Sequence, residues 1–140
     1  MAARYYKQRK PEGTVVIGGT FIPSEPEAQI EFFKENPFVD LLIKYDGEFG
    51  FLEFLKRYLS EDGYNKQIFC GEQLDGCVFW SKDENNLKVG KIIHRSNDLN
   101  EIPSPYLTGL MDSFFENQLM SPLIQSTRGC PFLCSYCWAG

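Results

Sequence analysis

The chain has 140 residues, 43% of them hydrophobic, 15% aromatic and 24% charged. That is enough to bury one sizeable core, but too little chain for a complete eight-stranded α/β barrel of about 250 residues, and the composition excludes a disordered tail or a collagen-like repeat. A formal net charge of -5, with the basic cluster confined to Arg4–Lys10, excludes the broad cationic face that nucleic-acid binding needs.

No apolar run approaches the roughly 18 residues that span a bilayer, and the stretch from Met1 to Lys7 has no hydrophobic signal core. The expected address is the cytoplasm, with no membrane partner. Five cysteines, an odd number in a reducing compartment, point to metal ligation, reactivity or packing rather than a disulfide framework.

The segment before Thr14 reads as the end of a helix leading into a first strand, Thr14 to Ile17, which is followed by Gly18-Gly19. Ser24 and Glu27 have the spacing of a capping box, Pro26 suits a first helical turn, and Pro37 predicts the helix end near Glu35. Val39, Leu41, Leu42 and Ile43 form the nearly continuous apolar run of a strand covered on both faces. After Tyr45-Asp46-Gly47-Glu48, the residues Phe51, Phe54, Leu55, Tyr58 and Leu59 recur at helical spacing and predict one buried face, with Asp62-Gly63 as the stop. Strand, helix, strand, helix at these intervals implies a parallel βαβ unit of a doubly wound sheet.

From Ile68 the pattern changes. Cys77–Trp80 and Leu87–Ile93, separated by turn-rich Lys82 to Asn86, predict an antiparallel hairpin, and Asp98 to Leu107 with Pro103 and Pro105 reads as an extended linker. A short helix is expected around Leu110 to Phe115, then a strand from Pro122 to Ser126 running into a cysteine-rich loop.

That loop, Thr127 to Trp138, carries Cys130, Cys134 and Cys137 as CxxxCxxC. Gly129 and Pro131 favour a loop that curls around an ion or cluster. The same spacings would also put three buried thiols on one face of a helix. A structural zinc would need a fourth ligand from His94, Cys70, Cys77 or another chain, and none of these sits at finger-like spacing. An iron-sulfur cubane held by three cysteines leaves one iron open to a small molecule.

TRGCPFLCSYCW resembles the cluster loop of radical S-adenosylmethionine enzymes: CxxxCxxC with an aromatic residue, here Tyr136, just before the last cysteine. The resemblance implies that Cys130, Cys134 and Cys137 hold a 4Fe-4S cluster and that Tyr136 lies near the adenine of S-adenosylmethionine. Reductive cleavage of that cofactor would release methionine and a 5'-deoxyadenosyl radical, with a flavodoxin or ferredoxin as electron donor. The preceding segments, VVIGGTFIPSEPEA, VDLLIKYDGEFGFLEFLKRYL and DLNEIPSPYLTGLMD, are similar to the second half and linker of the cobalamin-binding domain found in one subgroup. On that resemblance Gly18 and Gly19 would approach cobalamin at the C-terminal edge of the sheet, where such folds bind ligands.

The expected architecture is therefore α/β. Residues 1–66 would form the C-terminal half of a doubly wound, flavodoxin-like cobalamin-binding domain, and residues 67–120 the hairpin and linker. Residues 121–140 would be the first strand and cluster loop of a radical S-adenosylmethionine α/β barrel. The turn departs from the usual Gly-Glu-Gly-Glu in having Tyr45-Asp46, and Asp46 and Glu48 are expected as solvated carboxylates. His94 is expected in the hairpin without a ligand role, and Cys70 and Cys77 as packing or partly exposed thiols. The chain would be a segment across the junction of two domains, inactive without the later barrel strands, and its small-molecule or peptide substrate is not encoded in it. The rival expectations are a non-catalytic α/β binding module with zinc or structural cysteines, and an inactive truncated remnant.

Overall fold

The computed structural model describes residues 2–19, 21–60, 63–94, 96, 98–117, 119–124, 132 and 134–136. The chain divides into two compact units, Met1–Asn97 and Asp98–Gly140.

The first unit is a mixed α/β layer structure. Helix α1 (Ala2–Arg9) leads to β1 (Val16–Gly18), and α2 (Pro26–Glu35) carries the chain to β2 (Leu41–Ile43), which pairs with β1 in parallel, Gly18 opposite Ile43. The expected βαβ unit is present. Helix α3 (Gly47–Tyr58) follows, then a minimal hairpin of β3 (Leu59–Ser60) and β4 (Gly63–Tyr64) and a 3-10 turn at Lys66–Phe69. Strands β5 (Cys77–Ser81) and β6 (Asn86–Val89) form the expected antiparallel hairpin, but it does not stand apart. β5 pairs antiparallel with β2, giving one four-stranded sheet in the order β1-β2-β5-β6.

Alternation along these strands builds two cores. Leu41, Ile43, Cys77 and Phe79 face Phe54 and Tyr58 of α3, with Ile68 and Leu74 beside them; Val15, Leu42 and Val78 face Phe33 of α2, with Val39. Both faces of β2 are thus covered, and Leu41 and Leu42 are fully buried. This is why its sequence is an unbroken apolar run rather than an alternating one.

Three local expectations are corrected. Ser24 and Glu27 make no capping box: α2 starts at Pro26 with Glu25 at the N-cap and no side-chain cap bond. The entry loop is tied instead by buried Gln29, whose Nε2 donates to the carbonyls of Pro23 (2.8 Å) and Ser24 (3.1 Å). The buried stripe of α3 is Gly50, Phe54 and Tyr58, whereas Phe51 and Leu59 are exposed. Gly50 sets that rotation, since a Cβ there would stand 3.1 Å from the Gly76 carbonyl oxygen, so the helix rests on its glycine against β5's entry. Leu59 lies past the helix end, paired with Tyr64, so α3 stops before Asp62-Gly63.

The second unit has a 3-10 turn at Leu99–Glu101 and a short α4 (Asp112–Phe115). Its linker is pinned by Tyr106, whose hydroxyl donates to the Leu123 carbonyl (2.9 Å) and accepts from the Leu123 N–H (3.1 Å). Residues 122–124, expected to begin a strand, pair with no strand among the described residues; Gln125 and Ser126 lie outside them. Among the described residues no helix is long and apolar enough to cross a membrane.

Candidate cofactor edge and cysteine loop

Because β1 and β2 are parallel, their C-terminal ends emerge on one edge, Gly18-Gly19 beside Ile43-Lys44-Tyr45, and α2 and α3 both start from that edge. Gly18 and Gly19 are exposed. A Cβ on Gly18 would meet only Ile43 Cβ, at 4.0 Å, and one on Gly19 nothing within 4 Å. Gly19 has φ of 117°, a conformation L side chains rarely adopt. At both glycines the backbone is exposed and bare.

On the neighbouring strand's continuation Tyr45 has φ of 53° and is 58% exposed, with Lys44 Nζ 5.6 Å from its ring centroid. Sequence patterning gave no sign of this, since tyrosine is not a residue chosen for a left-handed conformation. Asp46 and Glu48, expected as solvated, are half-buried and engaged in further interactions.

The opposite edge holds a polar network that sequence patterning missed. Asp40 Oδ2 accepts from Lys7 Nζ and from the Val15 N–H, both at 2.7 Å, and Lys7 also donates to the Gly13 carbonyl at 2.6 Å. This fastens α1 and the start of β1 to β2. The only available signal was an aspartate set directly before an apolar run. Beside the network is a cavity of about 700 Å³, lined among others by Phe33, Phe69, Trp80, Lys34 and Cys70.

Cys70 is exposed, and its hydrogen bond with Asp83 raises its thiol pKa. Cys77 is buried; its Sγ donates to the Gly50 carbonyl at 3.4 Å, and burial pushes its thiol up to about 12. Both stay protonated at neutral pH and neither is a poised thiolate. His94 is exposed and lies beyond the end of β6, not in the hairpin as expected.

In the cysteine loop Cys134 is half-buried, Tyr136 is 90% exposed and Phe132 80% exposed. Cys130 and Cys137 lie outside the described residues. Among the described residues no group of three or more His, Cys, Asp or Glu gathers for a metal ion.

No family model matches the chain. It is 34% identical over 140 residues, 96% of its length, to the cobalamin-dependent radical SAM methyltransferase TokK of Streptomyces tokunonensis. It is 31% identical over 141 residues, again 96% of its length, to the 2-(S-pantetheinyl)-carbapenam-3-carboxylate methyltransferase of Streptantibioticus cattleyicolor. An uncharacterized methyltransferase of Pyrococcus horikoshii is 29% identical over 129 residues, 88% of the chain. The chain spans 19% of the length of the first two relatives and 24% of the third. With 96% of its length aligned at 34% identity to a cobalamin-dependent radical SAM methyltransferase, and with CxxxCxxC in its sequence, the chain belongs to the cobalamin-dependent radical S-adenosylmethionine proteins.

Proposed function

We propose that the chain is the stretch of a cobalamin-dependent radical S-adenosylmethionine methyltransferase that runs from the cobalamin edge to the cluster loop, residues 121–140 opening the radical domain. One observation carries this reading: 96% of the chain aligns with such a methyltransferase at 34% identity.

The bare backbone at Gly18 and Gly19, open where side chains would stand, fits a bulky ligand, and the donor set of three thiols fits a cubane cluster. In this reading Cys130, Cys134 and Cys137 hold the cluster, Tyr136 lies beside the adenine of S-adenosylmethionine, and Gly18 and Gly19 face cobalamin. When bound, the cluster supplies the electron that cleaves the sulfonium, and cobalamin a carrier for the methyl group. Three thiolates from Cys130, Cys134 and Cys137 would hold the cluster, a donor set that would leave room for S-adenosylmethionine to bind. The exposed Tyr136 ring has its surface available to pack on a ligand. The chemistry requires an external one-electron donor of the flavodoxin or ferredoxin type and a small-molecule or peptide methyl acceptor.

The test is anaerobic reconstitution with iron and sulfide. The expected result is a brown protein with roughly four iron and four sulfide per chain, lost in Cys134→Ala. Unchanged iron in that variant, or zinc without sulfide in protein purified without air, would overturn the cluster assignment.

A further inference from the structure

We propose that Tyr45 forms part of the cobalamin-binding edge, its ring packing on the bound macrocycle beside the bare Gly18-Gly19 backbone. This rests on the cobalamin edge proposed above and adds a specificity-determining side chain to it.

Tyr45 and Asn85 are the non-glycine residues with positive φ among the described residues, at 53° and 50°. Asn85 sits in the β5–β6 turn, where asparagine tolerates this conformation. Tyrosine does not, and holding it there costs on the order of 1 kcal/mol. Such strain persists where the surroundings impose it, and here they do: the Lys44 N–H is bound to the Gly76 carbonyl at 2.8 Å on one side of Tyr45, and α3 begins at Gly47 on the other.

The strain is not repaid by burial, because the residue is 58% exposed. It does place a large ring at the sheet edge. Gly18 is in register with Ile43, so Tyr45 emerges two positions on, beside the continuation of β1 through Gly19, with the strands about 4.8 Å apart. Lys44 Nζ, 5.6 Å from the centroid, helps fix the ring's orientation. A flat ring face beside the exposed residues Gly18 and Gly19 complements a ligand with a broad ring face, which is the chemistry of cobalamin.

Hydroxocobalamin titration of the purified protein, followed by corrin absorbance, is run beside thermal melts without ligand. Tyr45→Phe is expected to bind within twofold of the parent. Tyr45→Asn and Tyr45→Gly, which remove the ring and relieve the backbone, are expected to weaken Kd about tenfold while the ligand-free Tm stays level or rises by up to about 5 °C. Binding as tight as the parent in Tyr45→Gly overturns the proposal, as does weakening accompanied by a lowered Tm. Two outcomes separate the readings. If Gly18→Val abolishes binding while Tyr45→Gly leaves it intact, only the Tyr45 contact falls; if the parent binds no hydroxocobalamin, the cobalamin edge falls and takes the contact with it.

Discussion

The two compact units treat the same residue type in opposite ways. In the first, Leu41 and Leu42 are fully buried between helices on both faces of a sheet; in the second, Leu107, Leu119 and Leu123 are 90%, 91% and 89% exposed. Leucine content does not make a core. What differs is a sheet: β2 gains partners on both edges and helices on both faces, whereas among the described residues of the second unit there is a four-residue helix and no strand. Apolar side chains are hidden where backbone hydrogen bonds have already been satisfied in a layer that can be covered.

The contrast is broken most severely at Gly90. A Cβ there would overlap the Leu74 carbonyl, while the Gly90 N–H donates to the Cys77 carbonyl at 2.9 Å and the Gly76 N–H to the Lys91 carbonyl at 2.8 Å. No side-chain rotamer relieves a clash with backbone. Gly90→Ala is therefore expected to destabilise the first unit by about 3 kcal/mol or more, read as a lowered denaturation midpoint by circular dichroism. A shift below about 1 kcal/mol would mean that the Leu74 and Gly90 backbones do not meet in solution.

That crossing was invisible in the sequence, and the reason is general. Features set by neighbours in the chain were legible: the α2 stop before Pro37, the doubly covered strand Leu41–Ile43, the β5–β6 hairpin and the glycine turn after β1. Features set by distant partners were not. The hairpin's union with β2, the rotation of α3 by the Gly50 and Gly76 contact, and the Lys7 to Asp40 bridge all depend on which segments meet across the sheet. The site divides in the same way. Gly18, Gly19 and the cysteine spacing could be read directly, but the strained backbone of Tyr45 follows from the fixed run between β2 and α3, which residue propensity opposes.

A smaller effect sharpens the comparison through pH. Cys77 is fully buried, and its thiol is pushed from an ordinary 9.0 to about 12, first by burial and then by the nearby carboxylates of Glu53 and Asp75. With the folded pKa raised, the contribution is intact below pH 9 and is lost as pH rises from there towards about 12, because the unfolded chain releases its proton first. Alkaline urea titrations should show stability falling over that window, and Cys77→Ala should flatten the fall while lowering stability at pH 7 through the lost packing. An unchanged alkaline slope in Cys77→Ala would place the titration elsewhere.

The smallest expected effect lies in the second unit. Leu119→Ser removes a side chain that is 91% exposed, and a surface position of this kind changes stability by no more than about 0.5 kcal/mol. Serine also lowers the apolar exposure of a unit that shows Leu107, Leu110, Leu123 and Ile124 to solvent, so its solubility should rise. Denaturation measured at two protein concentrations separates the alternatives. Equal, near-zero changes at both keep the contrast between the units as described. A loss above about 1 kcal/mol that grows with concentration would show Leu119 covered by another copy, and the difference between the two units would then be one of partners rather than of layers.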